Sequence, residues 1–206
     1  LIRTLFSSLA LRLYPAQVQS LANEISAWKT IKYEEESKRL EIVIHMLISG
    51  EDHRFRFHPG FDLIAIIRAL KQKIVYNKTE GASTIDQQLV RVLTKDYRRC
   101  FSRKIKEIFL ATTLTRFIKR EHIPILYLHT AYYGTELVGI QQVLLKKDIL
   151  SPISLTSAAE IVARIKYPEP KEYSARNMYK IDIRTQYLLN LYSIHSSHPY
   201  FIYHKL

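Results

Sequence analysis

Glu51 and Asp52 stand side by side at the end of an apolar run, and Phe55, Phe57 and Phe61 crowd the residues that follow. Aromatic rings around a carboxyl exclude water and push its pKa up towards the range in which it can move protons, which makes Glu51 a candidate general base. His58, Gly60 and Asp62 complete the block. A second block, Gly81-Ala82-Ser83-Thr84-Ile85-Asp86-Gln87-Gln88, places two hydroxyls where a helix starts. Hydroxyls there cap free amides, and unpaired N–H groups with the helix dipole also make a site for an anion. Gln88 and Arg91 are three apart and share a helical face. A third block runs Arg98-Arg99-Cys100-Phe101-Ser102-Arg103-Lys104-Ile105-Lys106-Glu107, with Arg103 and Glu107 four apart and able to pair. Singly, each has an ordinary reading: a solvated Glu after a helix, Asp62 and Ser83 as caps, His58 as a structural histidine, a charge run on a solvated face. Blocks this dense in acids, amides and hydroxyls, in order and close together, rarely arise from packing needs alone.

The elements that must position them are helices. Apolar residues recur at helical spacing, predicting helices over Ala16–Lys29, Tyr33–Ile48, Phe61–Val75, Ser83–Thr94, Phe101–Lys119, His122–Tyr133, Leu137–Lys147, Thr156–Lys166 and Ala175–Ile194. No segment alternates cleanly with period two, so any strands are short. Five glycines in 206 residues agree with a helix-rich chain, and 47% hydrophobic residues argue against disorder. The net charge of +12 demands an anionic partner: nucleic acid, an anionic bilayer face or a phosphorylated lipid. The lone Cys100 excludes an internal disulfide and a thiol zinc cluster. No run of eighteen apolar residues occurs. The start at Leu1 rather than Met suggests a missing upstream piece, and the apolar stretch Leu1 to Leu13, broken by Arg3 and Arg12, reads either as the end of an anchor or as a first helix. Three segments are expected: 1–32, an N-terminal segment with either of those two readings, membrane-proximal or a first helix; 33–195, the main domain; and 196–206, a tail that frays beyond the core.

The blocks resemble the signatures of the peptidoglycan glycosyltransferases of glycosyltransferase family 51, of the monofunctional type. The spacing from Glu51 to Glu107 matches that family without a gap. Ile123-Pro124-Ile125-Leu126-Tyr127-Leu128-His129 with Tyr133-Gly134, then Gly139-Ile140, then Leu155-Thr156-Ser157-Ala158-Ala159-Glu160, resemble its later, looser blocks. His129 stands where Asn is usual, Arg91 where Lys is usual, and 141–147 departs from the family pattern. The resemblance implies an all-α, mainly helical, lysozyme-like fold and the polymerisation of lipid II with inversion at the anomeric carbon. In it Glu51 deprotonates the acceptor sugar, Glu107 orders the cations or assists departure, and Arg91, Arg99, Arg103 and Lys104 hold the donor's diphosphate, with Asp52, Ser83 and Gln88 also at the substrate. It further implies a divalent cation, Mg or Mn, although no ligand cluster in the sequence announces one. Lipid II, the nascent glycan strand, an anionic membrane surface and other cell-wall synthases are the implied partners, at the outer or periplasmic face of the bacterial cytoplasmic membrane, with the anchor upstream. Three rivals share some of these features: a catalytically impaired relative that binds lipid-linked sugar or a cell-wall partner, a lysozyme-like hydrolase, and a helical nucleic-acid binder. The cationic cluster argues against hydrolysis of a neutral glycosidic bond. The absence of any recognition motif and the Glu51-Asp52 pair argue against nucleic acid.

Overall fold

The computed structural model describes residues 2–149 and 152–197, so most of the expected tail, 198–206, lies outside the described residues. The chain is mainly α-helical, as expected. In chain order the helices are α1 (Ile2–Leu13), α2 (Pro15–Ala27), α3 (Tyr33–Arg39), α4 (Glu41–Glu51), α5 (Leu63–Tyr76), α6 (Ile85–Thr94), α7 (Phe101–Ala111) and α8 (Ile123–Thr130). After two short strands, β1 (Tyr132–Gly134) and β2 (Leu137–Val138), come α9 (Ile140–Lys146), α10 (Leu155–Lys166) and α11 (Ala175–Ser196). The strands pair antiparallel, Tyr132 with Val138 and Gly134 with Leu137.

Several helix ends follow directly from local chemistry. Pro15 opens α2, where its missing N–H costs nothing. Asp62 accepts from the amides of Ile64 and Ala65 at 2.9 and 3.1 Å and starts α5. Thr84 and Gln87 form a capping box at α6: Gln87 N–H donates to Thr84 Oγ1 at 3.2 Å, and Thr84 N–H donates to Gln87 Oε1 at 3.1 Å. Ser154 and Ser174 cap α10 and α11.

Tertiary packing breaks three of the predicted helices. Tyr33–Ile48 divides at Leu40, which is wholly buried and ends α3 as it begins α4. Phe101–Lys119 stops at Ala111, followed by single 3-10 turns at Leu114–Arg116 and Arg120–His122. The hydroxyls of Thr112 and Thr113 donate to the carbonyls of Phe109 and Leu110 at the end of α7, the local side-chain competition that these residues favour. The stretch Leu137–Lys147 begins as strand and becomes helix only after Gly139, whose φ of +81° excludes a helical start before it.

The chain forms two compact units. The first comprises the described residues up to Thr30 together with Arg54–Ile123. Its core brings α1 onto α7 and α2, and α6 onto α2 and α7, around Ala10, Leu21, Ile85, Leu89 and Leu110. Phe6 stacks on Phe109 and tilts against Phe61, with ring centroids 5.2 and 5.0 Å apart. On α5 the stripe Leu63, Ile67, Leu70 and Ile74 is more than half exposed, so this helix shows its apolar face outward rather than burying it. The second unit comprises Ile31–His53 and the described residues from Pro124 onward. Here α4, α10 and α11 pack on one another around Val43, Leu47, Ile161, Val162, Ile181 and Leu188. No described helix is long and apolar enough to cross a membrane.

Gly60 fixes the loop before α5. Its φ is +124°, a Cβ there would meet the Ala111 backbone at 2.8 Å, and its carbonyl accepts from Thr84 Oγ1 at 2.7 Å. Gly60→Ala is therefore expected to destabilise the protein by about 2 kcal/mol or more, lowering Tm by roughly 4–8 °C in a thermal melt.

Candidate active site

In the first unit the chemistry gathers around Glu107. Its carboxylate is 2% exposed on α7, on the face that meets α6. Arg91 of α6 grips it as a fork, Nε to Oε1 at 2.9 Å and Nη2 to Oε2 at 3.2 Å. Arg103, one turn earlier on α7, also donates to Oε1, the i,i+4 pairing that the sequence predicts. Lys104 lies beside them and donates to Ser83 Oγ at 3.2 Å. Burial, and then the neighbouring guanidinium of Arg91, hold the Lys104 ammonium below its ordinary pKa. Three cations around one carboxylate leave this corner positive, a setting that suits an anion with several oxygens.

Of the expected residues, Arg91, Arg103, Lys104, Glu107 and Ser83 thus meet. Ser83 does so as the partner of Lys104 rather than as a cap, because Thr84 takes the cap position. Gln88 lies on α6 one turn before Arg91. Arg99 is exposed and stays outside the cluster. Its neighbour Arg98 turns to Asp96 through Nε and Nη2 at 2.9 and 2.8 Å, and together with Lys106 this lowers the Asp96 pKa far below the usual carboxylate range.

Arg120, which the sequence reading passes over, organises the neighbouring loop. It donates to Asp86 Oδ1 at 2.9 Å and to the Phe55 carbonyl, and its guanidinium lies 4.2 Å from the Phe55 ring centroid. His58 is buried and accepts the Gly60 amide on Nδ1 at 3.2 Å, which ties its ring to the loop before α5. Arg54 pairs with Asp62 at 2.9 Å, so Asp62 serves both as cap and as counter-ion. The expected crowd of aromatics divides: Phe55 is buried, and Phe57 is 65% exposed.

Glu51 and Asp52 belong to the second unit. Glu51 is the last residue of α4 rather than three residues beyond a helix ending at Ile48, and Asp52 is the buried C-cap, its amide bonded to the Ile48 carbonyl at 3.0 Å. Arg184 on α11 reaches across to this end, donating through Nη2 to Glu51 Oε1 at 2.8 Å and to the Gly50 carbonyl at 3.0 Å. Gly50 leaves room for α11, since a Cβ there would meet the Leu188 side chain at 2.2 Å. Arg184 is the main residue absent from the sequence reading. A signal for it exists, because it sits among Ile181, Thr185 and Leu188 on the buried face of α11, where a charge implies a buried partner.

His129 and Gln141 meet elsewhere in the second unit. His129 Nε2 lies 2.8 Å from Glu36 Oε2, and Gln141 Nε2 donates to the same oxygen at 3.4 Å. Arg39 forks onto both oxygens, Nε to Oε1 and Nη2 to Oε2, each at 3.0 Å.

With this geometry in place, similarity to known proteins becomes informative. A family model described as Transglycosylase matches residues 17–192, and the chain belongs to that family, the peptidoglycan transglycosylases of glycosyltransferase family 51. A monofunctional glycosyltransferase of Staphylococcus haemolyticus is 33% identical over 140 residues, covering 64% of this chain and 51% of its own length. Penicillin-binding protein 1A of Rickettsia felis is 30% identical over 154 residues, covering 71% of this chain and 19% of its own. A monofunctional glycosyltransferase of Staphylococcus epidermidis is 41% identical over 87 residues, covering 42% of this chain and 32% of its own. The chain thus spans about half or less of the length of these relatives.

Removing the charge of Glu107 leaves Arg91 and Arg103 facing one another across a neutral amide. Glu107→Gln is expected to cost about 3 kcal/mol, read as a lower midpoint in urea unfolding with an unchanged slope.

Proposed function

We propose that this chain polymerises lipid II into glycan strands. The observation that carries the reading is the buried Glu107 carboxylate surrounded by Arg91, Arg103 and Lys104, a preformed cationic corner for a diphosphate. Glu51, held by Arg184, is the general base. It takes the proton of the acceptor sugar's 4-hydroxyl as that oxygen attacks the donor's anomeric carbon. The new C–O bond forms on the face opposite the breaking bond to phosphate, so the centre inverts. The lipid diphosphate leaves with the bonding electron pair, and the cations stabilise the charge that it gathers. Arg99, on its exposed loop, adds a further hand to the diphosphate, while Ser83, Gln88 and Asp52 position the sugars and the cations. Arg184 is a positioning residue: it fixes the direction in which Glu51 presents its carboxylate.

The membrane is the natural place for such a substrate. The outward stripe Leu63, Ile67, Leu70 and Ile74 of α5, with Arg68, Lys71 and Lys73 on the same helix, suits contact with an anionic bilayer at the outer face of the bacterial cytoplasmic membrane. Other cell-wall synthases are the partners in keeping with that location. A divalent cation, Mg or Mn, belongs to the same proposal. Glu107 and Asp62 are already matched to guanidinium groups and would not be its ligands.

Two variants test the reading with labelled lipid II in detergent, with and without added Mg or Mn. Glu51→Gln should lower polymer formation at least about a hundredfold while circular dichroism at 25 °C stays that of the wild type, with a lower Tm from the lost pair with Arg184. Near-normal turnover would show the base to be misassigned. Lipid II that binds but never polymerises, even with wild-type protein, would favour a binding relative instead. Arg184→Met should lower kcat with a smaller change in KM, because it misdirects the base without touching the donor; an unchanged kcat would leave Arg184 as a packing residue only.

A further inference from the structure

The tyrosines of α11 have no part in the chemistry above. At 3.6 residues per turn, Ile181, Arg184, Thr185 and Leu188 gather on the buried side of this helix. On the opposite side Tyr179, Ile183 and Tyr187 stand in line one turn apart, with 66%, 52% and 49% of their surfaces exposed. The two rings are separated by about 12 Å along the axis. Arg176, Asn190 and Gln186 lie on or beside the same stripe, and Lys180 flanks it; all four are exposed. The stripe also joins the candidate site. The Arg184 guanidinium lies 5.0 Å from the Tyr187 ring centroid while the same group holds Glu51.

Aromatic rings in line on an exposed helix face are not explained by folding, since they leave apolar area in water. What surrounds them selects the occupant. Gln186 and Asn190 would stay unsatisfied in a lipid interior. A sugar chain needs both kinds of group at once, because each pyranose ring offers a face of C–H bonds to an aromatic plane and hydroxyl or acetamido groups at its edge. Arg176 and Lys180 can meet carboxylates carried on such a chain, while the exposed Asp182 flanks the stripe on its other side. We propose that the outer face of α11 is a track for a strand of N-acetylated amino sugars, with Tyr179 and Tyr187 lying under separate rings of the strand. The identity of that strand as the growing polymer rests on the function proposed above; the chemistry of the track does not.

The test uses a soluble, lipid-free probe, the β-1,4-linked tetramer of N-acetylglucosamine, titrated into the full chain and followed by saturation-transfer NMR and calorimetry. Wild type and Tyr179→Phe should bind alike, because both keep the ring. Tyr179→Ala should bind about three- to tenfold more weakly with an unchanged fold by circular dichroism. No binding by the wild type, or equal binding by Tyr179→Ala, would overturn the track. Lipid II polymerisation, measured in parallel, judges the other reading separately. Polymerisation by the wild type with no dependence of tetramer binding on Tyr179 sinks the track alone. Tetramer binding that depends on Tyr179 in a protein that never polymerises lipid II sinks the glycosyltransferase reading and leaves the track standing.

Discussion

A carboxylate taken out of water must meet a cation, and in this chain that cation is repeatedly an arginine from a different element. Glu107 is held by Arg91 from 16 positions away, Asp86 by Arg120 from 34, and Glu51 by Arg184 from 133. Desolvation takes back much of what each pair gains, so such pairs add little stability compared with well-packed apolar residues. What they fix is geometry. A planar guanidinium accepts a carboxylate in few orientations, so the packing of α6 on α7 sets the direction of Glu107, and the packing of α11 on α4 sets that of Glu51. The parts of each unit that look purely structural therefore decide where its acids point.

The same pairing explains how the excess of positive charge is distributed. Part of it is spent inside each unit: Arg164 of α10 is buried against Glu169, which also takes Lys147, and the two cations hold the Glu169 carboxyl below its ordinary pKa against the opposing pull of burial. Around Glu107 the balance goes the other way, since one acid faces three cations. The fold disfavours the charged form of Lys104 there, as burial and Arg91 both lower its pKa. An anion arriving at that corner supplies the opposite charge that the protein withholds, and this is how a site can be held ready for a multiply charged group without collapsing onto itself.

The sequence displays what is local and hides what is tertiary. The caps at Asp62 and Thr84 and the Arg103–Glu107 pair are legible because their partners are two to four residues apart. The break at Leu40 is not, because an apolar residue at helical spacing reads as continuation when it is in fact a buried hinge between two helices. Periodicity shows that α5 is two-faced but cannot say which face meets water, and here the apolar one does. Ser83 reads as a cap because its type favours one; the position is taken by Thr84, whose hydroxyl is also anchored to the Gly60 carbonyl. Arg184 escapes because its partner is on another helix, although a charged residue in the middle of an apolar stripe is itself a trace of such a partner.

The departures from the family pattern can be read through the same constraint. His129 and Gln141 both reach Oε2 of Glu36, while Arg39 forks onto both of its oxygens. A partly buried carboxylate with three polar neighbours is satisfied, whereas altering one neighbour alone would leave the acid or its partner short of a bond. Glu36, His129, Gln141 and Glu51 all lie in the second unit, yet the network closes on Glu36, whereas Glu51 is met by Arg184. His129 and Gln141 thus act together as supports of one partly buried carboxylate, Glu36.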